Sequence, residues 1–123
     1  MAITQQTMLK RSFNEPDETR PAGSGKAEII NVGDMAMMRI TLPPGWKWSR
    51  ELKQVVGTES CEAPHFQYHV SGRLHVRMDD GSEDDFGPGD LSVLPPGHDA
   101  WVVGDEACVT IDITGAHVWA KHS

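Results

Sequence analysis

Short apolar stretches separated by turn-forming residues follow one another through most of the chain. The first two occupy residues 27–32 and 35–42, and Gly33 and Asp34 lie between them. Residues 43–45, Pro-Pro-Gly, end the second stretch. Apolar runs of this length bounded by Gly, Pro and Asp are typical of β-strands. We therefore predict two strands here, one on each side of a turn.

A regular alternation of apolar and polar residues marks the centre of the chain. Residues 64–70 and 73–78 form two β-prone runs, joined by Ser71 and Gly72. In the second run, one face carries Leu74, Val76 and Met78, and the other carries Arg73, His75 and Arg77. Side chains of a strand point alternately to its two faces, so this pattern predicts a half-buried strand. His75 is expected on the polar face, at the surface or at an interface.

Three further β-prone runs follow, at residues 91–94, 100–103 and 108–113. No window of 11 or more residues shows a helical period. Strands that recur every 8 to 12 residues are typical of sandwiches and small barrels. The predicted fold class is therefore all-β, either a sandwich or a small barrel.

The two ends of the chain lack this pattern. Residues 1–26 are rich in polar residues, Pro and Gly and have no sustained apolar period. We predict an N-terminal arm there, loosely ordered or draped on the domain. The barrel is predicted over residues 27–114, and residues 115–123 form a C-terminal tail.

Composition narrows the function classes. The chain has 123 residues, with 38% hydrophobic and 24% charged residues, which fits one ordinary globular domain. Eleven Lys and Arg against 18 Asp and Glu give a net charge of -7. An acidic surface repels phosphate backbones and anionic lipid headgroups, so we expect neither a nucleic-acid nor a membrane partner.

The sequence also predicts a soluble, cytoplasmic protein. It has no apolar stretch near the roughly 20 residues needed to cross a bilayer, and no basic n-region followed by an apolar segment. The two cysteines, Cys61 and Cys108, are expected to be reduced thiols, because a lone disulfide is unusual in a chain without a signal peptide.

Several residue types able to ligate metals or transfer protons lie close together in the sequence. If residues 59–69 are extended, positions two apart share a face. The residues predicted to line one interior in this way are Glu59, Cys61, His65, Gln67 and His69. His69 is interpreted either as a pocket acid or base or as a core histidine.

The tryptophans and the acidic residues allow two interpretations each. Trp46 and Trp48 would point to one face of an extended segment, either as core residues or, with Trp101, as the walls of a ligand pocket. Residues 79–90 hold six acidic side chains, which is compatible with a calcium loop. They lack the EF-hand spacing, so we interpret them as a solvated hairpin whose charges keep a sheet edge from aggregating.

The segment from Glu59 to Trp101 resembles the paired motifs of the cupins, which are small antiparallel barrels of jelly-roll type. The resemblance implies a single cupin, or double-stranded β-helix, barrel of two antiparallel sheets. The second cupin motif fits Gly89, Pro95 and Gly97 without gaps. The chain is most similar to short single-domain, RmlC-like cupins. Their signatures appear at residues 44–49 (PGWKWS), 57–61 (GTESC), 71–73 (SGR) and 95–101 (PPGHDAW). Such a protein is expected to form a homodimer, for which the N-terminal arm is available.

The resemblance implies that the usual three-His, one-Glu metal site is replaced. With Gly72 as the turn glycine, His65 occupies the position of the motif's Glu, and Glu59 and Cys61 occupy its His-x-His pair. The His of the second motif falls on Ala100. His98 lies two residues before Ala100 and can stand in for that ligand.

Cys61, His65 and His98 then form a candidate metal site. A thiolate with two imidazoles suits zinc best, although iron, manganese or nickel is possible if Glu59 or His69 completes the site. Asp99 either orients a ligand or caps the turn. Two alternatives remain: cysteine and histidine as ordinary packing residues, or Cys61 as a nucleophile activated by a histidine.

We expect a divalent metal in the barrel that polarises a small oxygen-bearing molecule, for lyase, isomerase or hydrolytic chemistry. Glu59 and His69 are the predicted catalytic groups, and Gln67 with the three tryptophans would bind the substrate. An iron site would suit a dioxygenase instead. The alternatives from other classes are a non-catalytic module that binds or senses a small molecule and a purely structural domain.

Overall fold

The computed structural model describes residues 7–32 and 35–113. This part of the chain forms nine strands and two one-turn helices. The strands are β1 (Glu18–Ala22), β2 (Gly25–Val32), β3 (Met35–Leu42), β4 (His65–Ser71), β5 (Arg73–Met78), β6 (Glu83–Phe86), β7 (Leu91–Leu94), β8 (His98–Val103) and β9 (Cys108–Asp112). The helices are α1 (Trp48–Glu51) and α2 (Lys53–Val56).

The strands form two antiparallel sheets that face each other. The larger sheet has the order β1-β2-β3-β9-β4-β7, and the smaller has the order β6-β5-β8. The chain therefore crosses between the sheets at the β4–β5, β6–β7, β7–β8 and β8–β9 connections. The predicted all-β fold with two antiparallel sheets is confirmed.

Strict alternation along the strands builds the core between the sheets. Strand β3 buries every second residue and leaves the residues between them half-buried. Strands β5 and β8 of the smaller sheet bury Leu74, Val76, Ala100 and Val102 against that layer. Strands β3, β4, β5, β7, β8 and β9 thus have one face in the core and one outside, as the alternating sequence predicts.

Strand β6 and helices α1 and α2 are elements that the apolar pattern did not predict. Strand β6 has the sequence Glu-Asp-Asp-Phe, whose acidic side chains are exposed at the edge of the smaller sheet. Its backbone pairs with β5, and of its four side chains Phe86 packs against the core. Helices α1 and α2 are four residues each, which is too short to give a helical period.

The predicted arm differs from the structure in its second half. Strands β1 and β2 form an antiparallel hairpin at the edge of the larger sheet, so the sheet begins well before residue 27. The pattern missed β1 because its outer residues are polar and Pro21 interrupts it, which an edge strand tolerates. Residues 1–6 and the predicted tail, residues 115–123, lie outside the described part of the chain. No helix among the described residues is long and apolar enough to span a membrane.

Candidate metal centre

Cys61, His65 and His98 come together at one end of the space between the sheets. All three side chains are buried, and one ligand atom from each lies within 4.8 Å of the other two. The Sγ atom of Cys61 is 3.8 Å from Nε2 of His65. The structure thus brings together the three residues that the sequence singled out as metal ligands.

Three different elements position these side chains. His65 begins β4 in the larger sheet, whereas His98 begins β8 in the smaller sheet. Cys61 precedes β4 in a loop whose backbone is bonded to β8. The N–H of Cys61 donates to the carbonyl oxygen of His98 at 2.7 Å, and the N–H of His98 donates back at 3.2 Å. Main-chain pairing therefore fixes the separation of Cys61 and His98.

The hydrogen bonds of the two histidines define which nitrogen is available. Nδ1 of His65 contacts the carboxylate of Asp112, and Nδ1 of His98 lies 3.0 Å from the carbonyl oxygen of Pro95. Oxygen acceptors require each ring to donate from Nδ1, which leaves the Nε2 lone pair as the ligating site. Burial lowers the pKa of His98, with a smaller contribution from His65, so this ring is neutral at neutral pH.

The donor set fits a zinc ion. Sulfur and imidazole nitrogen are its preferred protein ligands, and zinc bonds of about 2.3 and 2.0 Å at a tetrahedral angle place the two atoms about 3.5 Å apart. The 3.8 Å between Cys61 Sγ and His65 Nε2 is close to that value. Three protein ligands would leave one tetrahedral position for water or a small ligand.

Asp112 is a site residue that the sequence analysis missed. Strand β9 buries Cys108, Thr110 and Asp112 on its inner face, and the Asp112 side chain is fully enclosed. A carboxylate beside the Nδ1–H of a ligating histidine fixes the ring orientation and makes the ring a stronger ligand. The sequence did contain a signal for Asp112, since an acidic residue on the same strand face as two buried residues is unusual.

A small cavity adjoins the three candidate ligands. Its volume is about 30 Å³. Besides Cys61, His65 and His98, its walls comprise Ile40, Leu42, Trp46, Trp48, Gln67, Leu74, Leu94, Ala100 and Thr110. Trp46, Trp48 and Gln67 thus lie beside the three candidate ligands. The indole N–H of Trp46 is engaged, since it donates to the carbonyl oxygen of Ala22 at 2.9 Å.

Trp101 does not reach this cavity, contrary to the prediction. It lies on the outer face of β8, where its ring is 4.7 Å from that of His75, and Nζ of Lys47 lies over it at 4.9 Å. Because His98 and Ala100 point inward, strand alternation requires Trp101 between Ala100 and Val102 to point outward.

Glu59 is also misplaced by the sequence argument. Its side chain is 94% exposed and forms an ion pair with Nζ of Lys53 at 2.7 Å. The prediction assumed that the chain is extended from residue 59 onward. Residues 57–63 instead form a loop, and β4 begins at His65. Glu59 therefore does not line the interior.

His69 is enclosed in the core, away from the cavity walls. Its Nε2 lies 2.8 Å from Oγ of Ser92, and its ring stacks on Phe86 at 5.2 Å. Burial lowers the pKa of His69, which keeps the ring neutral. Of the two predicted interpretations, the structure favours a core histidine. Asp99 likewise acts as a cap, because its carboxylate accepts the N–H of Ser49 at 3.1 Å and of Ala100 at 2.9 Å.

His75 lies on the outer face of β5, as predicted, between two carboxylates. Its Nε2 is 2.6 Å from Glu83 and its Nδ1 is 2.5 Å from Asp85. These two contacts raise the pKa of His75. A pKa raised by folding stabilises the protein while the ring is protonated, below the unfolded value of 6.5, and the benefit is lost as pH rises through the higher folded value.

We therefore expect His75→Gln to reduce the free energy of unfolding at pH 6 by about 0.5–1 kcal/mol, the range typical of exposed ion pairs. At pH 9 the difference between the variant and the native chain should be much smaller. Urea denaturation at both pH values measures this. An equal loss at both would contradict a role for the protonated ring.

Cys108 is buried in the core, where desolvation raises its pKa to about 11. At pH 8 only about one thiol in a thousand would then be a thiolate. In a Cys61→Ala variant, iodoacetamide should label native Cys108 at least 100-fold more slowly than the urea-unfolded chain, measured by mass spectrometry. Labelling of the folded variant within minutes would show that this thiol is accessible.

Comparison with known proteins defines the fold. No protein-family model matches the sequence, and no curated protein matches it. Solved structures do match. A Cupin 2 conserved barrel domain protein from Salinispora arenicola is 16% identical with a TM-score of 0.60, over 89% of this chain and 88% of that chain.

Two further structures agree with this result. A protein with a double-stranded beta-helix domain from Klebsiella pneumoniae is 16% identical with a TM-score of 0.56, over 89% of this chain and 92% of that chain. The S161A mutant of oxalate decarboxylase from Bacillus subtilis is 23% identical with a TM-score of 0.60, over 91% of this chain and 31% of that chain. The chain therefore has the cupin, or double-stranded β-helix, fold.

Proposed function

We propose that this protein holds a divalent metal ion, preferably zinc, through Cys61, His65 and His98, and binds a small oxygen-bearing molecule beside it. The observation that carries the proposal is the buried cluster in which three soft or borderline ligand atoms lie within 4.8 Å of one another. Buried histidines and cysteines are common, but packing alone does not explain why these three converge with each histidine ring placed to donate from Nδ1 to an oxygen.

The chain's own residues would prepare the site. Asp112 accepts the Nδ1–H of His65, and the Pro95 carbonyl accepts that of His98, so both rings are held in the ligating tautomer. The cavity walls are mostly apolar, which strengthens electrostatic interactions inside. When bound, the metal would supply Lewis-acid polarisation of a carbonyl or hydroxyl oxygen.

A second candidate function is a non-catalytic module that binds or senses a small molecule. It is favoured by the location of the predicted acid and base groups: Glu59 is at the surface, and His69 is in the core outside the cavity lining. A proton-transferring enzyme needs such a group within hydrogen-bond reach of its substrate. Turnover would distinguish the two functions.

Elemental analysis of tag-free protein tests the proposed metal site. We expect about one equivalent of zinc in the native chain and its loss in Cys61→Ala, His65→Ala and His98→Ala. Matched controls are Cys108→Ala and His75→Ala, which remove the other described cysteine and the surface histidine without touching the cluster.

Each outcome of this experiment is informative. Absence of metal from the native chain, even after incubation with zinc, iron or manganese, would overturn the proposal, as would equal loss in the controls. Iron in place of zinc would favour the dioxygenase alternative. Lyase, isomerase or hydrolase activity would then be sought only for a chain that binds zinc.

We further propose that the chain is one of the short single-domain, RmlC-like cupins and that it works in the cytoplasm. The signature segments support the first statement, since residues 44–49 and 95–101 flank the site through Trp46, Trp48 and His98. Two buried free cysteines support the second, because a reducing compartment keeps Cys61 available as a ligand.

A further inference from the structure

Three buried polar side-chain atoms lack a hydrogen-bond partner in the described part of the chain. They are Oε1 of Gln67, Oγ1 of Thr110 and Nδ1 of His69. Leaving a buried polar group unsatisfied costs about 1–3 kcal/mol, so such groups usually mark a bound water or ligand. The position of these three atoms in the fold shows where such a guest molecule, a water or a small ligand, would lie.

The three atoms belong to consecutive inward positions of two paired strands. On β4, Gln67 and His69 are two residues apart, and on β9 Thr110 pairs directly with His69. Two of them, Gln67 and Thr110, line the cavity beside the candidate metal ligands. The atoms of Gln67 and Thr110 therefore form a polar patch on an otherwise mostly apolar cavity wall, and the His69 atom lies behind it in the core.

The chemistry of this patch limits what can bind. The amide oxygen of Gln67 only accepts hydrogen bonds, so the guest must carry an N–H or O–H donor. Among the described residues that line the cavity there is no Lys or Arg, and the Asp112 carboxylate is buried next to Gln67, at 3.4 Å from its amide nitrogen. In the metal-free chain an anionic guest would therefore be unpaired, and a neutral one is favoured.

The size of the cavity limits the guest further. One water needs about 10–15 Å³ of such space, and the cavity provides about 30 Å³. Bonded atoms lie closer together than separate waters, which sets an upper size of about four non-hydrogen atoms. Larger molecules would have to displace Trp46 or Trp48, both of which are buried.

We propose that Gln67 and Thr110 form a hydrogen-bonding subsite at the cavity wall for a small neutral molecule, of up to about four non-hydrogen atoms, that carries an N–H or O–H donor. This deepens the proposed function, on which it rests for the idea that the cavity takes a ligand. The subsite itself is made of protein atoms only, so it can be tested with and without metal.

Acetamide, acetone and acetate provide a matched set of probes. All three have four non-hydrogen atoms and nearly the same shape, but only acetamide is a neutral donor, acetone lacks a donor and acetate is an anion. Binding to the metal-free and zinc-incubated native chain would be followed by NMR at the side-chain amide of Gln67 and the indole N–H of Trp48. We expect acetamide to bind at least tenfold more tightly than either of the others to the metal-free chain.

Variants locate the effect. Gln67→Met and Thr110→Val keep the side-chain volume and remove the hydrogen-bonding group, and each should reduce the preference for acetamide over acetone to below threefold. Gln54→Met on the exposed side of α2 and Thr41→Val on the outer face of β3 are controls that should keep the preference. The probe series on the native chain decides the question even if a core variant fails to fold.

Equal affinity for acetamide and acetone, or no shift of the Gln67 amide on titration, would overturn the subsite. This failure is separate from that of the metal site. A native chain that takes no zinc but discriminates between the probes would retain the subsite and lose the metal proposal. A chain that takes zinc without discriminating would do the opposite.

A second, independent observation concerns the outer face of the larger sheet. The outward side chains of β4 and β7 form a contiguous apolar patch, in which Phe66 pairs with Val93 and Tyr68 with Leu91. Their exposure ranges from 41% for Phe66 to 76% for Val93, and Val70 extends the patch along β4. The exposed area is about 500 Å², within the range of about 300–600 Å² for the largest apolar patch of a typical monomer, and such patches often have a function.

The geometry points to a second copy of this chain as the partner that covers the patch. Strand β7 is an edge strand, and none of the five patch residues is charged, so two copies can meet there despite a net charge of -7 each. A two-fold contact would bury the patch twice, about 1,000 Å² in total, at the lower limit for a specific interface. We expect a weak dimer with a dissociation constant of about 10 µM.

Sedimentation velocity between 1 and 500 µM tests this. The native chain should shift from 13.5 kDa toward twice that mass. Val93→Lys should remain monomeric at the highest concentration, whereas Val103→Lys, at an exposed valine of the smaller sheet, should dimerise like the native chain. A native chain that is monomeric throughout, or equal dissociation by both variants, would overturn the proposed interface.

Discussion

Asp112→Ala should weaken zinc binding by about 10- to 100-fold and lower the free energy of unfolding by about 3 kcal/mol. Both effects have one cause. The carboxylate is fully buried against Nδ1 of His65, and its removal leaves that N–H without a partner in the core. A freed ring can also rotate or change tautomer, which withdraws Nε2 from the cluster.

Two variants separate the contributions of charge and hydrogen bonding. Asp112→Asn keeps an acceptor oxygen, so it should retain more zinc affinity than alanine does. Asp85→Ala is the matched surface control, because Asp85 makes the same type of contact to Nδ1 of His75 at 2.5 Å while largely exposed. It should cost less than about 1 kcal/mol and leave zinc binding unchanged.

The measurements are urea denaturation of the metal-free chain and zinc titration against a chelator of known affinity. A zinc affinity unchanged in Asp112→Ala would show that the carboxylate does not orient the ligand. Loss of stability without loss of zinc affinity would assign Asp112 a structural role alone.

Gly72→Ala should destabilise the fold by about 3 kcal/mol. Gly72 forms the β4–β5 turn with φ of +73°, where an L-residue is strained by about 1–2 kcal/mol. A Cβ atom there would also lie 2.4 Å from the carbonyl oxygen of Ala107 and 2.6 Å from Cα of Cys108. Both are backbone atoms, so β9 would have to move, and such overpacking adds about 1–3 kcal/mol.

Gly89→Ala is the control for the dihedral angle alone. Gly89 has φ of +91°, but a Cβ atom would meet nothing within 4 Å. It should cost only about 1–2 kcal/mol. Urea denaturation of both variants measures the difference, and equal losses would show that the close approach of β9 to Gly72 adds nothing beyond backbone strain.

The strands were predictable because nearly every one has a single buried face. In β3 and β5 the alternation of the sequence matches the alternation of burial, and both strands have the predicted bounds. Strands β1 and β6 were missed for the opposite reason. Their outer residues are polar or charged, and backbone pairing at a sheet edge leaves little apolar pattern in the sequence.

The candidate site was predictable where it depends on strand alternation and not where it depends on loops. His65, Gln67 and His69 do share the inner face of β4, but only the first two reach the cavity, since His69 lies further along the barrel. Glu59 was misplaced because the loop before β4 is not extended. No rule based on neighbouring residues gives the direction of a side chain in such a loop.

The directions of the Asp112 and Trp101 side chains were predictable from the sequence, since strand alternation alone determines them. Asp112 is in phase with Cys108 and Thr110, and Trp101 is out of phase with His98 and Ala100. What the sequence could not supply was the pairing of β9 with β4, which places Asp112 beside His65 although 47 residues separate them.

The main-chain bridge between Cys61 and His98 has a consequence for how this protein can evolve. The two positions are joined by backbone hydrogen bonds, which do not depend on the identity of either side chain. A mutation can therefore exchange one ligand for another, or remove it, while the barrel keeps its shape. At these two positions the chemistry can change while the architecture stays the same. Descendants of one ancestral barrel could therefore acquire new reactivity through single substitutions.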